Sequence, residues 1–289
     1  VTPEYLRRAN RLPPRRQLYE GQRLFIRMRY VIGAAPSLSD ARSARFVLRR
    51  AGRHLSAIGP LHFRLQPDGT VDGGWDAGAL ALCREQGLET LSIVDNWDPA
   101  GQGDDALSRV LRSKRLHRKL CEGIADLVVT DGSDGVVLDF GGLRFGDGGR
   151  LVRLAATLAV RLRTMGKKIF IGVPFFFPGL RGAFGAADID WHRLHEAVDG
   201  VILQTHHPLG KTGRIFLSVL EEGIRAFCTR VPPWKAMLGI NLGALEFDAD
   251  TGSLRRLTYQ QAVAAAYTSG SRPVWDEERG VLAAHCAAS

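Results

Sequence analysis

The chain has 289 residues, 45% of them hydrophobic, enough for one large core, and carries a net charge of +9. No run of about 18 apolar residues occurs, and the opening VTPEYLRRANRLPPRRQLYEGQRL is basic and polar with no apolar centre, so neither a membrane span nor an export signal is expected. The four cysteines, Cys83, Cys121, Cys228 and Cys286, lack CxxC or metal-ligand spacing, which points to free thiols and fits a reducing, cytoplasmic compartment.

The charge is unevenly placed. Residues 1–53 hold thirteen arginines against Glu4, Glu20 and Asp40, so the rest of the chain is close to neutral. Residues 1–24, with Pro13-Pro14 between arginine pairs, have little to bury and are expected to form a mobile basic arm ahead of a single domain over 25–289. A second basic cluster, Arg109 to Lys119, has helical spacing and reads as a solvated helix face. Either region allows binding of an anionic polymer. No aromatic-interleaved nucleic-acid motif accompanies them.

From residue 28 the pattern alternates. Met28–Gly33 predicts a strand leaving through a Gly/Pro loop, Ser39 a cap for a helix through Phe46, Val47, Leu48 and Leu55, and Ala57–Leu65 a second strand ending at the turn Pro67-Asp68-Gly69. A helix around Gly74–Gln86, a strand Leu88–Val94, the basic helix continuing to Val128 and a strand Val136–Phe140 follow. Leu151–Thr164 predicts an amphipathic helix, Ile169–Pro174 a strand, Asp190–Val198 a helix and Gly200–Thr205 a strand. Ile215–Phe227 reads as helix, Trp234–Asn241 as the seventh strand and Tyr259–Tyr267 as helix. Seven strand-helix units in series predict an α/β fold, a parallel TIM (β/α)8-type barrel, with the eighth strand incomplete or degenerate because only a short alanine-rich stretch follows residue 278. No GxGxxG or P-loop follows any strand, and no cofactor is expected.

In such a barrel, polar residues at strand C-termini build the site. They are His62 and Arg64, then Asp95, Asn96 and Trp97, then Asp139, then Gln204, Thr205, His206 and His207, then Asn241. Phe63, Trp97 and Phe175 to Phe177 lie near the same rim, where aromatics either stack on sugar rings or pack beneath loops. His206-His207 does not read as a metal site, because neighbours on an extended strand point to opposite faces. Asp139 ends the apolar run Val136-Val137-Leu138 and reads either as a functional carboxylate or as a cap for neighbouring loops.

The stretch Asp134-Gly-Val-Val-Leu-Asp139-Phe-Gly141 resembles the fourth-strand motif DGxDxDxE of glycoside hydrolase family 18, in the branch of chitinases and spore-cortex glucosaminidases. His62 to Gly69 is similar to the family's FxYRVxPDG segment, Val201 to His207 to VILMTYD, and Leu238 to Gly243 to LGIPLYG. Leu257 to Val263 and Val274 to Glu278 resemble the segment before the last strand, so the likeness covers about residues 28–278. It implies a partner rich in N-acetylglucosamine, chitin or peptidoglycan, and hydrolysis in which the sugar's own acetamide attacks the anomeric carbon. That chemistry needs a carboxylate to orient the acetamide and a general acid to protonate the leaving oxygen. By the alignment Asp139 is the orienting group, while the acid's position holds Gly141, the middle aspartate's holds Val137, and the acetamide-binding tyrosine's holds His206. The resemblance thus implies a binder of N-acetylglucosamine glycans without ordinary hydrolysis, its site made of Asp139, Gly141, Phe63, Asn96, Trp97, Gln204, His206 and Asn241. The alternatives are an active glycosidase with a substitute acid such as His206, and an interaction protein that uses its basic arm. Oligomeric state is not readable from the sequence.

Overall fold

The repeated apolar runs pair side by side, as their near-continuous hydrophobicity requires of strands covered on both faces. The structure, a computed structural model, describes all residues except 1–11, 14–16, 25–29, 36–37, 39, 62, 97–102, 176–187, 206–216, 241, 249–253, 278–280 and 285–289. Strands β1 (Ile32–Ala35), β2 (Ala57–Pro60), β3 (Phe63–Leu65), β4 (Val71–Asp72), β5 (Glu89–Asp95), β6 (Gly135–Asp139), β7 (Lys168–Pro174), β8 (Gly200–Gln204) and β9 (Ala236–Gly239) make one sheet. Its main path, β1-β2-β5-β6-β7-β8-β9, is parallel throughout. The connecting helices are α1 (Ala41–Ala51), α2 (Ala77–Glu85), α3 (Gly103–Arg112), α4 (Lys114–Thr130), α5 (Gly148–Thr164), α6 (Trp191–Ala197) and α7 (Leu217–Cys228). The sheet curls into a barrel that stays incomplete, and among the described residues no strand bridges β9 back to β1.

Strand alternation sorts the core into two layers. Val94, Val136, Leu138, Ile171, Val201 and Leu203 face the helices and are buried with Leu120, Ile124, Leu154 and Leu158. Leu91, Ile93, Val137 and Phe170 fill the interior, joined by Ile202 and Met237. At the strands' N-terminal end Tyr30 donates to Glu89, Lys168 Nζ donates to both Glu89 oxygens at 2.6 and 2.7 Å, and the Tyr30 ring stacks on Phe170 at 5.4 Å. Burial first, then the Glu89 contact, pushes the Tyr30 hydroxyl well above the usual phenol range. That end is a packed plug, so chemistry is left to the other end.

Several local expectations are corrected. Ala57–Leu65 is two strands: both pair with β5, but the register slips by one residue, from Ile58 opposite Thr90 to Phe63 opposite Val94, and the other neighbour changes from β1 to β4, which β3 meets through Leu65 and Val71. The basic helix breaks at Ser113, whose hydroxyl caps α4 by accepting from Leu116 N at 3.3 Å. Asp40, not Ser39, caps α1, accepting from Ser43 N at 2.9 Å. Phe46, read with the apolar side of that helix, is 58% exposed. The seventh strand contracts to β9, and the chain beyond it adds two antiparallel pairs, β10 (Ala244–Phe247) with β11 (Leu254–Leu257) and β12 (Val274–Asp276) with β13 (Val281–Ala283). Helix α8 (Tyr259–Thr268) lies between the pairs, its start closed by a Thr258 and Gln261 capping box. Cys83 and Cys121 are buried free thiols and Cys228 an exposed one. Among the described residues no helix is long and apolar enough to cross a membrane.

One buried carboxylate ties two helices, α3 and α5, together. Asp147, fully buried ahead of α5, accepts from Ser108 Oγ of α3 at 2.8 Å, from Arg112 Nε at 3.0 Å and from Arg150 Nη1 at 3.2 Å. Burial alone would raise its pKa, but the bonds from Arg112 and Ser108 outweigh burial and hold it below the usual carboxylate range. A depressed folded-state pKa adds stability above the unfolded value, about 3.9, and that stability is lost as pH falls through the folded value. Asp147→Asn is expected to cost about 2–3 kcal/mol in urea unfolding at pH 7, below the about 3–5 kcal/mol of a fully buried pair because both arginines stay partly solvated. The variant's stability should also fall less steeply than the parent's on acidification below about pH 4.

Candidate functional site

The interior faces of the strands change from apolar to polar in their last residues. On β5 and β6 the series Leu91, Ile93, Asp95 runs in register with Gly135, Val137, Asp139, so the two aspartates sit side by side at the barrel's C-terminal end. Asp95 pairs with Arg64 of β3, Nε to Oδ1 3.5 Å. Asp139 is half-buried and accepts from Gln204 Nε2 of β8 at 2.5 Å.

Strand β7 lies between Asp139 and Gln204, and the contact requires a residue there without a side chain. A Cβ on Gly172 would fall 2.6 Å from Gln204 Nε2 and 2.9 Å from Asp139 Oδ1. Gln204 is 1% exposed and cannot swing aside. Gly172→Ala is therefore expected to break the pair, costing about 1–3 kcal/mol of stability. The check is a urea melt beside a titration with an N-acetylglucosamine oligomer, in which affinity should fall as well.

Gln204 Oε1 is buried and has no hydrogen-bond partner among the described residues. Among the described residues the amide is thus held by Asp139, with its nitrogen toward the carboxylate. The contact uses Oδ1 of Asp139 as the acceptor.

Asn96 holds the position of the expected acid. Its Nδ2 donates to Gly141 O at 3.1 Å and its Oδ1 accepts from Gly141 N at 2.8 Å, a two-way clamp from β5 onto the loop after β6. The next residue, Gly142, takes φ 62°, where a side chain is disfavoured, whereas Gly141 is not among the positive-φ glycines. Position 141 thus tolerates a side chain on backbone grounds. Val137 is 3% exposed and seals the interior beneath Asp139. Asp134 braces β5, accepting from Thr90 N and Oγ1 at 2.8 and 2.9 Å.

Of the residues singled out in the sequence, the structure brings together Asp139, Gln204, Asn96 and Gly141. Phe63 is fully buried on the helix side of the sheet with Leu65, Val94 and Leu107, away from the rim. Asn96 is 4% exposed, with its amide engaged by Gly141. Trp97, His206 and Asn241, together with His62, Phe176, Phe177 and His207, lie outside the described residues. Gly172 was not singled out, although an isolated glycine inside an apolar strand is a recognised sign of close approach. Among the described residues no group of His, Cys, Asp and Glu is arranged to hold a metal ion.

No family model matches the chain. The Bacillus subtilis protein YdhD, named as a sporulation-specific glycosylase, is 24% identical over 196 residues, 65% of this chain and 45% of that protein. The match thus spans under half the length of that relative. A class V chitinase from Pseudomonas fluorescens superposes with a TM-score of 0.75 at 18% identity, covering 90% of this chain and 81% of that one. A family 18 chitinase from Cycas revoluta, solved in complex with (GlcNAc)4, superposes with a TM-score of 0.69 at 15% identity, covering 89% and 85%. These likenesses establish the fold, the barrel of family 18 chitinases in incomplete form, and agree with the sequence motifs quoted above.

Proposed function

We propose that the chain is a family 18-type barrel that binds N-acetylglucosamine-containing glycan, of chitin or peptidoglycan type, and does not hydrolyse it at an ordinary rate. The observation that carries this reading is the pairing of a built orienting group with an absent acid. Asp139 is fixed by Gln204 in a space kept open by Gly172, whereas two residues on, where the family motif has its glutamate, there is only the Gly141 backbone held by Asn96. An oriented carboxylate can stabilise an acetamide, but glycine has no proton to give to a leaving oxygen. The neighbours' names support the ligand class: the Cycas chitinase is titled as a complex with (GlcNAc)4, and YdhD as a glycosylase of sporulation. Trp97, His206 and Asn241 complete the proposed sugar contacts. Incubation with a fluorogenic chitobioside tests the reading: release should stay at the buffer background, and release that disappears in Asp139→Ala contradicts it.

One observation favours a working glycosidase as a second reading: Asp95 places another carboxylate in register beside Asp139. Arg64 is already paired with it. If Asp95 were the acid, Asp95→Asn would abolish a hydrolysis that the parent displays.

A further inference from the structure

Helix α1 carries a face that the glycan reading does not use. Arg42, Arg45, Phe46, Arg49 and Arg50, with Arg53 one turn further, recur at i, i+3, i+4, i+7, i+8 and i+11, the spacing of one helix face. All six are exposed, while Ala44 and Leu48 on the opposite face are buried. None of the five arginines forms an ion pair among the described residues. The basic helix α4 differs, for Lys119 is bonded to Asp68 at 2.7 Å and Glu122 of the same helix to Arg161 at 3.3 Å. Two arginines in the last turn of α1 complement its dipole, but that does not account for Arg42, Arg45 and Arg53.

A cleft of about 200 Å³ opens beside this face, lined by Arg45, Leu48 and Arg49 of α1 and by Leu82 and Gln86 at the end of α2. Gln86 shortly precedes β5, so the cleft lies toward the N-terminal ends of the strands, away from Asp139. The two arginines in its lining carry forked donors suited to a carboxylate or phosphate. The helix face is convex. Its single aromatic, Phe46, is covered by the Arg50 guanidinium 4.4 Å from the ring centroid, so no row of open rings is offered to unstacked bases. The surface reads charge.

The geometry points to a second binding site on α1, with the Arg45 and Arg49 cleft at its centre, for a carboxylate-bearing polysaccharide. The glycan class of this partner rests on the function proposed above, whereas the charge and the cleft stand independently of it. The site belongs to the folded helix and not to residues 1–24, and it would hold an acidic strand at the side of the barrel remote from the Asp139 rim.

The test uses the full chain and three probes of matched low ionic strength: polygalacturonate, oligodeoxythymidylate of similar charge, and (GlcNAc)4. Polygalacturonate should bind in a salt-sensitive manner. Arg45→Glu with Arg49→Glu should weaken it about tenfold or more, while Arg115→Glu with Arg118→Glu, the same charge change on exposed positions of α4, should leave it within about threefold. Arg45→Gln with Arg49→Gln, checked for an unchanged melting curve, separates lost contacts from introduced repulsion and should also weaken binding. Equal losses from the α1 and α4 variants, tighter binding of the oligonucleotide than of polygalacturonate, or no binding of polygalacturonate by the parent each overturn the site. Loss of (GlcNAc)4 binding is a failure of the Asp139 reading alone, since the polygalacturonate result stands by itself.

Discussion

Gly141→Glu is expected to raise release of product from a chitobioside about 10²-fold above the parent, the lower end of what a placed general acid contributes. Position 141 follows a strand whose last carboxylate is already oriented, Asn96 clamps its backbone from β5, and its φ is one that a side chain adopts. The gain is set at the lower end because Val137 stands where the motif has its middle aspartate and His206 where it has its tyrosine. A rise that persists in the double variant Gly141→Glu with Asp139→Ala would show that the new activity does not run through this site. An unchanged rate in Gly141→Glu, with (GlcNAc)4 still bound, would place the sugar elsewhere on the rim.

Asp139→Asn should weaken (GlcNAc)4 binding about 10- to 100-fold, the equivalent of the about 1.5–3 kcal/mol of a hydrogen bond to a charged group. Asparagine is the informative replacement because Gln204 can turn its amide over. Its Oε1, without a partner among the described residues, then accepts from the new side chain, and stability should change little. Asp139→Ala removes the same charge but strands the buried Gln204 nitrogen, adding a stability loss of about 1–3 kcal/mol. Calorimetric titration of both variants beside their melts separates the binding effect from the folding effect.

The order of strands and helices was legible because each barrel strand is an apolar run and each helix an apolar stripe, signals carried within about ten residues. Asp139 was legible for the same reason, as the first charge after Val136-Val137-Leu138. What held it was not. The Gln204 to Asp139 bond spans 65 residues and the Asn96 to Gly141 clamp 45, and no local pattern marks which of several rim polar groups meet. Asn96 looked like a sugar contact for that reason, and Phe63 like a rim aromatic because hydropathy does not reveal which face of a short strand it takes. The break in Ala57–Leu65 was hidden because it arises from a one-residue slip of register against β5, from Ile58 opposite Thr90 to Phe63 opposite Val94, which no local pattern marks. Phe46 misled because it stands next in sequence to the half-buried Val47 and the buried Leu48 of α1 yet joins the arginine face.

The central claim, a site that holds N-acetylglucosamine polymer but lacks the acid to cleave it, is tested most directly by isothermal titration of (GlcNAc)4 into the full chain. A saturable isotherm whose heat returns to baseline after every injection, and which is lost or weakened at least tenfold in Asp139→Asn, is the predicted result. A continuing heat of turnover in the parent, or an isotherm indifferent to Asp139, contradicts it.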